Sequence, residues 1–520
     1  MQLLNKLRTK HRFAGIVIDI TCGAAASLAL PPFFMLPALF CLGLPVWRVI
    51  HANSRFEAAS IFGMAGLGWF LASIFWVSHA LIVSAPSLWF LTPFVALALA
   101  LILAVFWTVA AAVSWLPNQS AVVRLLCLLV VFAVIEWTRG FVASGFPWSL
   151  MGGIFAVHLN SLQMASIIGV YGLTFLAFGC VVAPLLWILS ARRLALILLM
   201  LPVVGTFWGN VRLDSQPVAQ AAMAPVIRLV QPAVPQQDKW NRQKRPAHLA
   251  TLIDLSQAGK NKPDFLIWPE TAFAGLPSQN RLLLADTVRA AMRPGGFLLT
   301  GIPRFDGDNR PLNSVFLFDH QARLRGVYDK RHLVPFGEYV PFRSWISFLD
   351  IIAGPADFVA GTQNQLIVVP GIGQVQTLIC YEVIFSGQVL GPHVRPDLMV
   401  NVTNDAWFGA TIGPWQHLYQ SQMRAVEEGI PLLRVANTGI SAAFDGYGRQ
   451  LGSIPLGERA YLDITIPSVL TAPVFARFDN SGFFALCLGV LGVAWVLYRC
   501  ENKRRHKNKG QSCANLRVLK

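Results

Sequence analysis

The chain's 520 residues are 55% hydrophobic and only 13% charged, with a mean hydropathy of +0.53. That is too apolar for a soluble protein of this length and makes the chain a polytopic membrane protein. A net charge of +16 and a pI of about 9.8 would suit nucleic acid. The basic residues, however, gather in short loops and tails beside apolar segments, where they set topology and attract anionic lipid, so no nucleic-acid partner is expected.

In chain order, apolar spans are expected at about 13–30, 34–50, 58–79, 89–115, 122–139, 162–190, 194–210 and 480–498. No Asp, Glu, Lys or Arg occurs from Ala58 to Val123 or from Gly140 to Ala191. Each of these runs exceeds the roughly 20 residues one spanning helix needs and must hold more than one pass. The first span, behind Lys6, Arg8, Lys10 and Arg12, resembles a signal peptide, but a second apolar segment follows so soon that it reads as retained.

Orientation follows from the basic loops. With the N-terminus in the cytoplasm, Arg48, Arg55, Arg124, Arg192, Arg193 and the cluster Lys503 to Lys509 all fall inside, whereas the loops near Pro31 and from Ala80 to Ser87 carry no Lys or Arg. The chain then divides into a bundle of about seven spans (1–212), an outer domain (213–476), a last span (477–500) and a basic cytoplasmic tail (501–520), of which Lys503 to Lys509 reads as disordered. Close-packing Gly63, Gly66 and Gly68 suit a helix interface. Glu136 and Arg139 form a candidate polar pair near the outer end of a span.

The outer domain alternates β-rich runs with helical stretches. Strands are expected at 226–230, 265–268, 297–301, 314–318, 376–380, 398–402, 432–436 and 462–466, and helices at 248–257, 281–292 and 415–428. This is an α/β pattern, and in such domains ligands gather at the carboxyl ends of strands. Cys380 stands at such an end. Of the eight cysteines, Cys22, Cys41, Cys127, Cys180 and Cys487 lie in spans and Cys500 and Cys513 on the cytoplasmic side, so Cys380 has no disulfide partner. An unpaired thiol in an oxidising compartment is a liability unless its reactivity is used.

A thiol must become a thiolate to attack a carbonyl, which calls for a base. Glu270, also directly after an apolar strand, is the candidate, because a partly desolvated carboxylate can have the proton affinity required. Attack creates an oxyanion, and an ammonium would stabilise it while favouring the thiolate; Lys330 is the candidate. Taken singly, such residues are as easily surface or packing features. His417 has no second ligand at metal spacing, and no metal site is assigned.

The strings Trp268-Pro-Glu270, Lys330-Arg-His-Leu-Val-Pro-Phe-Gly-Glu338 and Cys380-Tyr-Glu382 resemble the Glu, Lys and Cys blocks of the nitrilase (carbon-nitrogen hydrolase) superfamily, in the same order. Asn404-Asp-Ala-Trp407-Phe-Gly409, Gly413-Pro-Trp-Gln-His417 and Arg434-Val-Ala-Asn437 resemble its membrane-bound apolipoprotein N-acyltransferase branch. The resemblance implies an α-helical transmembrane bundle of about eight helices carrying an α/β nitrilase-like αββα sandwich. It implies a catalytic Cys380, Glu270 and Lys330, with no cofactor. Through a thioester, an acyl chain would pass from a phospholipid, phosphatidylethanolamine being the expected donor, to the N-terminal amine of a diacylglyceryl-cysteine apolipoprotein. A monomer in a bacterial inner membrane with its catalytic domain in the periplasm is expected.

By the same resemblance Glu338 is a supporting glutamate that orients the lysine and the amine, against a plain loop salt bridge. Glu382, if the strand continues past Cys380, shares its face and lines the pocket. Tyr381 would then face away, which sits poorly with the substrate contact the resemblance implies. Trp240 and Trp407 are implied in acyl-chain contact, although each is otherwise as suited to a core. The Phe146-Pro-Trp148 turn and the loop from Phe348 to Phe358 are candidate lipid contacts. Two rivals remain at this point: a membrane-tethered amidase that would use the same residues with water as acceptor, and a non-catalytic scaffold or transporter.

Overall fold

The computed structural model describes residues 12–214, 225–341, 343, 357–363, 365–391 and 395–518. The charge-poor runs form helices α1 (Arg12–Ser27), α2 (Gly43–Ile50), α3 (Arg55–Ile74), α4 (Thr92–Ser114), α5 (Ala121–Arg139), α6 (Ala165–Ile188) and α7 (Arg192–Asp214). Side chains mark two of the starts: Ser54 accepts from the Glu57 N–H and Ser120 from that of Val123, satisfying donors that a helix end leaves open. Among the described residues, six helices are long and apolar enough to cross a membrane, and Phe13–Ser27 and Leu36–Ile50 are shorter apolar helices. The expected eight apolar segments therefore all form, two of them shorter than a full span.

Small residues set the helix spacing. A Cβ on Gly23 would stand 1.8 Å from the Ala65 carbonyl oxygen, and one on Gly68 1.9 Å from that of Ile20, so α1 and α3 touch backbone to backbone, as small residues allow in membrane helices. The last helix, α11 (Ser481–Val518), does not stop at the end of its apolar part. The expectation of disorder from Lys503 to Lys509 is corrected accordingly.

Between these membrane segments, two six-stranded sheets form. One has the order β12-β1-β2-β3-β4-β5 and the other β11-β10-β9-β8-β7-β6. The strands that position the site are β1 (Ile227–Gln231), β2 (Phe265–Ile267), β3 (Phe297–Phe305), β4 (Pro311–Asp319) and β5 (Leu324–Asp329) in the first sheet. In the second they are β6 (Ile367–Val369), β7 (Gly373–Ile379), β8 (Leu398–Thr403) and β9 (Leu432–Ala436), with β10 (Ser441–Phe444), β11 (Gln450–Ile454) and the first sheet's β12 (Ala460–Ile464) completing the set. In each sheet three neighbouring strands run parallel, β1-β2-β3 and β7-β8-β9, and the outer pairings are antiparallel.

Period-two alternation builds the layers. Phe265 and Ile267 join the core shared by the two sheets, while Leu266 faces a second core with Leu249, Leu252, Leu284 and Val288. Those residues lie on α8 (Arg245–Gln257) and α9 (Arg281–Ala291), which cover the first sheet. The second sheet is covered by α10 (Gly413–Glu428), buried almost all round because the membrane bundle packs on its other side. The result is the expected αββα sandwich docked on helices. The Phe348–Phe358 loop, apart from Asp357 and Phe358, lies outside the described residues.

Candidate active site

Strand β7 carries the chain to Ile379, and at Cys380 it turns sharply into a short 3-10 segment, Cys380–Ile384. Cys380 itself has φ +51, a left-handed conformation that costs a side-chain-bearing residue about 1–3 kcal/mol and persists only when its surroundings impose it. Two sets of groups do so. Glu382 folds back beneath the turn, its carboxylate accepting from the N–H groups of Ile379 (2.7 Å), Arg331 (2.8 Å) and His332 (3.1 Å) and from the Tyr328 hydroxyl (2.9 Å). On the other side the Cys380 carbonyl accepts from His417 Nε2 and Asn401 Nδ2, both at 3.2 Å.

In front of the thiol, the first sheet supplies the charges. Glu270 follows β2, and its Oε1 accepts from Asn313 Nδ2 of β4 at 2.7 Å; the same amide donates to Glu338 at 3.0 Å. Glu338 in turn takes Lys330 Nζ at 2.8 Å and the Val334 N–H at 2.8 Å. Lys330 is placed by its own backbone, which donates to the Asn313 carbonyl. Glu270, Lys330 and Cys380 are each at most 8% exposed, and their charges act on one another.

Burial sets the proton affinities. It pushes the Cys380 thiol up to about 12, with Glu270 adding to the effect and Lys330 opposing it. The expectation that the ammonium favours the thiolate thus holds for Lys330's own contribution, but desolvation outweighs it. The resting group is a thiol. Burial also raises Glu270 above the usual carboxylate range, against the pull of Lys330, which makes it a better proton acceptor. Burial works against the charge on Lys330, yet Glu338, Cys380 and Glu270 raise it above the ordinary lysine value. A neutral buried thiol, a carboxylate of raised proton affinity and a permanently charged ammonium can perform acyl transfer, the thiol giving up its proton as attack occurs.

Of the other expected residues, Glu338 stands in the centre, as described. Glu382 is not placed by strand alternation: the chain leaves the strand at Cys380, and its carboxylate is turned to backbone N–H groups. The same turn sends Tyr381 towards the membrane helices, where its hydroxyl donates to the Gly145 carbonyl at 2.6 Å. The loop it meets is held by the buried pair Glu136–Arg139 (2.6 Å), Arg139 also donating to the Phe146 and Trp148 carbonyls. Trp240, next in the chain to Lys239, is 54% exposed, and Trp407 is half-buried in the Asp405–Phe408 turn.

Two features escaped the sequence. Lys239 is buried, with Nζ donating 2.9 Å to the Glu270 carbonyl. Behind Cys380, His417 Nδ1 lies 3.0 Å from Asp405 Oδ1, which also accepts from the Thr403 hydroxyl at 3.0 Å, while Arg434 donates to Asp405 and Asn401. Despite burial, Arg434 and His417 hold Asp405 below the usual carboxylate range; burial and Arg434 lower His417. In the sequence His417 ends a string that resembles the membrane-bound branch and has no second ligand at metal spacing, whereas its place in the fold is as a donor to the turn. Among the described residues no cluster of His, Cys, Asp and Glu suited to a metal occurs.

Comparison with known proteins matches residues 226–474 to the carbon-nitrogen hydrolase family and residues 22–183 to the apolipoprotein N-acyltransferase N-terminal domain. The chain is similar to the apolipoprotein N-acyltransferase of Rhizobium rhizogenes, 34% identical over 94% of this chain and 96% of the relative. The namesakes from Bradyrhizobium diazoefficiens and Agrobacterium fabrum are 35% and 36% identical, over 89% and 94% of this chain and 91% and 96% of theirs. Among solved structures, an amidase from Nesterenkonia sp. is 19% identical over 52% of this chain and 98% of its own, with a TM-score of 0.33.

Proposed function

The chain belongs to the apolipoprotein N-acyltransferase family, and from that premise we propose the following course for its reaction. It is an enzyme of acyl transfer in a membrane. Glu270 takes the proton of the Cys380 thiol as sulfur attacks the ester carbonyl of a phospholipid. Lys330 faces the oxyanion that forms. Collapse of that intermediate breaks the carbon–oxygen bond, the proton on Glu270 passes to the departing alkoxide, and lysophospholipid departs, leaving Cys380 as a thioester. The α-amine of a diacylglyceryl-cysteine apolipoprotein then attacks the thioester, Glu270 accepts the amine's proton, and the sulfur is released and reprotonated.

Phosphatidylethanolamine is the proposed donor, and a monomer in a bacterial inner membrane with residues 213–476 in the periplasm is the proposed arrangement. Trp240, exposed next in the chain to Lys239, is proposed as an acyl-chain contact, and Trp407 as a second. The observation that carries the reading is the thiol–carboxylate–ammonium set, buried and joined to the membrane loop through Tyr381. A neutral thiol there needs no protection from an oxidising compartment beyond its own burial. The amidase alternative shares the set, but the family relationship and the helical bundle favour transfer to an amine over transfer to water.

The test supplies fluorescent phosphatidylethanolamine with or without a diacylglyceryl-cysteine peptide. Expected are one labelled thioester, located by mass spectrometry at Cys380, and labelled peptide formed in step with further lysophospholipid. Steady release of free fatty acid from lipid alone would instead identify a hydrolase, and a thioester on another residue would remove Cys380 from the role.

A further inference from the structure

Lys239 closes the short helix Gln236–Lys239 in a polar stretch, where a lysine is ordinarily solvated. Its side chain instead turns inward and is only 5% exposed, with the Glu270 carbonyl as acceptor. An ammonium has three donors, and among the described residues no second protein acceptor meets this one. Burying such a charge costs several kcal/mol unless opposite charge compensates it.

The neighbouring groups supply the compensation. In the connected set of Glu270, Asn313, Glu338 and Lys330, two carboxylates face one ammonium, which leaves one buried negative charge without a counterpart. Lys239 makes the count two against two. The sum is preserved through the reaction, because the proton lost by Cys380 is held on Glu270 until it passes to the departing alkoxide, while negative charge moves from carboxylate to sulfur to carbonyl oxygen and back to the carboxylate. Without Lys239, every one of those states would hold an uncompensated negative charge in a desolvated site.

We propose that Lys239 is a second cation of the reaction centre, a positioning residue that fixes the Glu270 main chain and balances the buried negative charge while the thioester forms. The proposal rests on the acyl-transfer reading given above. The titratable groups facing Lys239 are Glu270 and Cys380; Lys330 and Glu338 stand beyond Glu270, and His248 of α8 lies within reach of its charge.

The test uses the full chain in phospholipid nanodiscs, given fluorescent phosphatidylethanolamine without acceptor, and follows thioester formation on Cys380 from pH 6 to 10. Burial lowers Lys239 to about 8, so the ammonium is present below that pH and lost above it, and the wild-type rate is expected to fall there. Lys239→Arg, which stays charged, should keep the rate within roughly tenfold and abolish the alkaline fall. Lys239→Met should lower the rate on the order of 10²-fold, with no alkaline fall. A wild-type rate in Lys239→Met overturns the proposal. Equal losses in the Arg and Met variants with the alkaline fall unmoved overturn it too, since packing alone would behave so. Failure of the wild type itself to acylate Cys380 would defeat the acyl-transfer reading and take this proposal with it, an outcome distinct from the other two.

Discussion

The two sides of the Cys380 turn are built on opposite plans. In front, Glu270, Lys330 and Lys239 have shifted proton affinities, and Lys239 keeps donors that no protein acceptor among the described residues meets. Behind, Asp405, Arg434, Asn401 and His417 bond to one another and to the Cys380 carbonyl, and Asp405 is held firmly ionised. Open donors on Lys239 therefore sit where the proposed substrate would be met, and a tied network, with Arg434 Nε alone unmatched among the described residues, sits where a strained backbone must be held. On the proposed course, the difference separates groups that take part in proton movement from groups that fix geometry, and it can be tested one side at a time.

The largest effect is expected in front. Glu270→Gln keeps the shape and the bond from Asn313 within reach but cannot accept a proton, so thioester formation should fall by on the order of 10³-fold. The sign of the pH dependence follows from the raised affinity of Glu270: the base is active only when ionised, so the wild-type rate should climb with pH above the ordinary carboxylate range. The Gln variant should lack that climb. Single-turnover rates measured from pH 4.5 to 8 decide the matter, and a variant that acylates normally would remove Glu270 as the base.

A smaller effect is expected behind. His417→Leu removes a donor to the Cys380 carbonyl and leaves Asn401 to hold it alone, a loss of about 1–3 kcal/mol that corresponds to roughly 10- to 10²-fold in thioester formation. His417→Gln, which restores an N–H, should recover most of it. Neither variant should move the pH limbs, because His417 carries no proton in the reaction. A shifted limb in His417→Leu would show that the two sides are not separate in function.

Much of this centre was legible because Glu270 and Cys380 directly follow apolar, β-rich runs, whereas Lys330 was marked by its string with Arg331 to Glu338. The strands preceding Glu270 and Cys380 are buried where they approach the site, and continuous apolar runs announce such strands. Strands β5, β6, β10 and β11 escaped notice: Leu324-Arg-Gly-Val-Tyr-Asp329 mixes charge with glycine, and Ile367–Val369 is only three residues. Period two failed at Glu382 because one left-handed residue redirects the chain, and nothing local in Cys380-Tyr-Glu382 marks that. Lys239 could not be found from its polar neighbours, since its burial is made by Glu270, far along the chain. His417 needed partners at Asp405 and Arg434, which only the fold brings together.

The smallest expected effect asks whether a shifted proton affinity alone identifies a working group. Glu428, at the end of α10 against the membrane bundle, is pushed up to about 8 by burial and by neighbouring Glu427, itself raised to about 7 by burial. Unlike Glu270, this pair faces no thiol. Glu427 instead accepts from the Val170 N–H at 2.8 Å, just past the non-helical Gly169 of α6, and from the Ser386 hydroxyl and Arg424. Because the folded chain holds these protons more tightly than the unfolded one, their stabilising contribution is complete below about 4.5 and is lost as pH rises through about 7 to 8. Glu428→Gln should therefore raise stability at pH 8.5 by on the order of 1 kcal/mol, and by less at pH 6, while leaving both limbs of the thioester rate in place. Denaturation of the detergent-solubilised protein at the two pH values, alongside the rate profile, provides the measurement. A displaced rate limb would mean that the junction with the membrane helices shares in the proton chemistry, and that raised affinity rather than open hydrogen-bonding capacity marks the reaction centre.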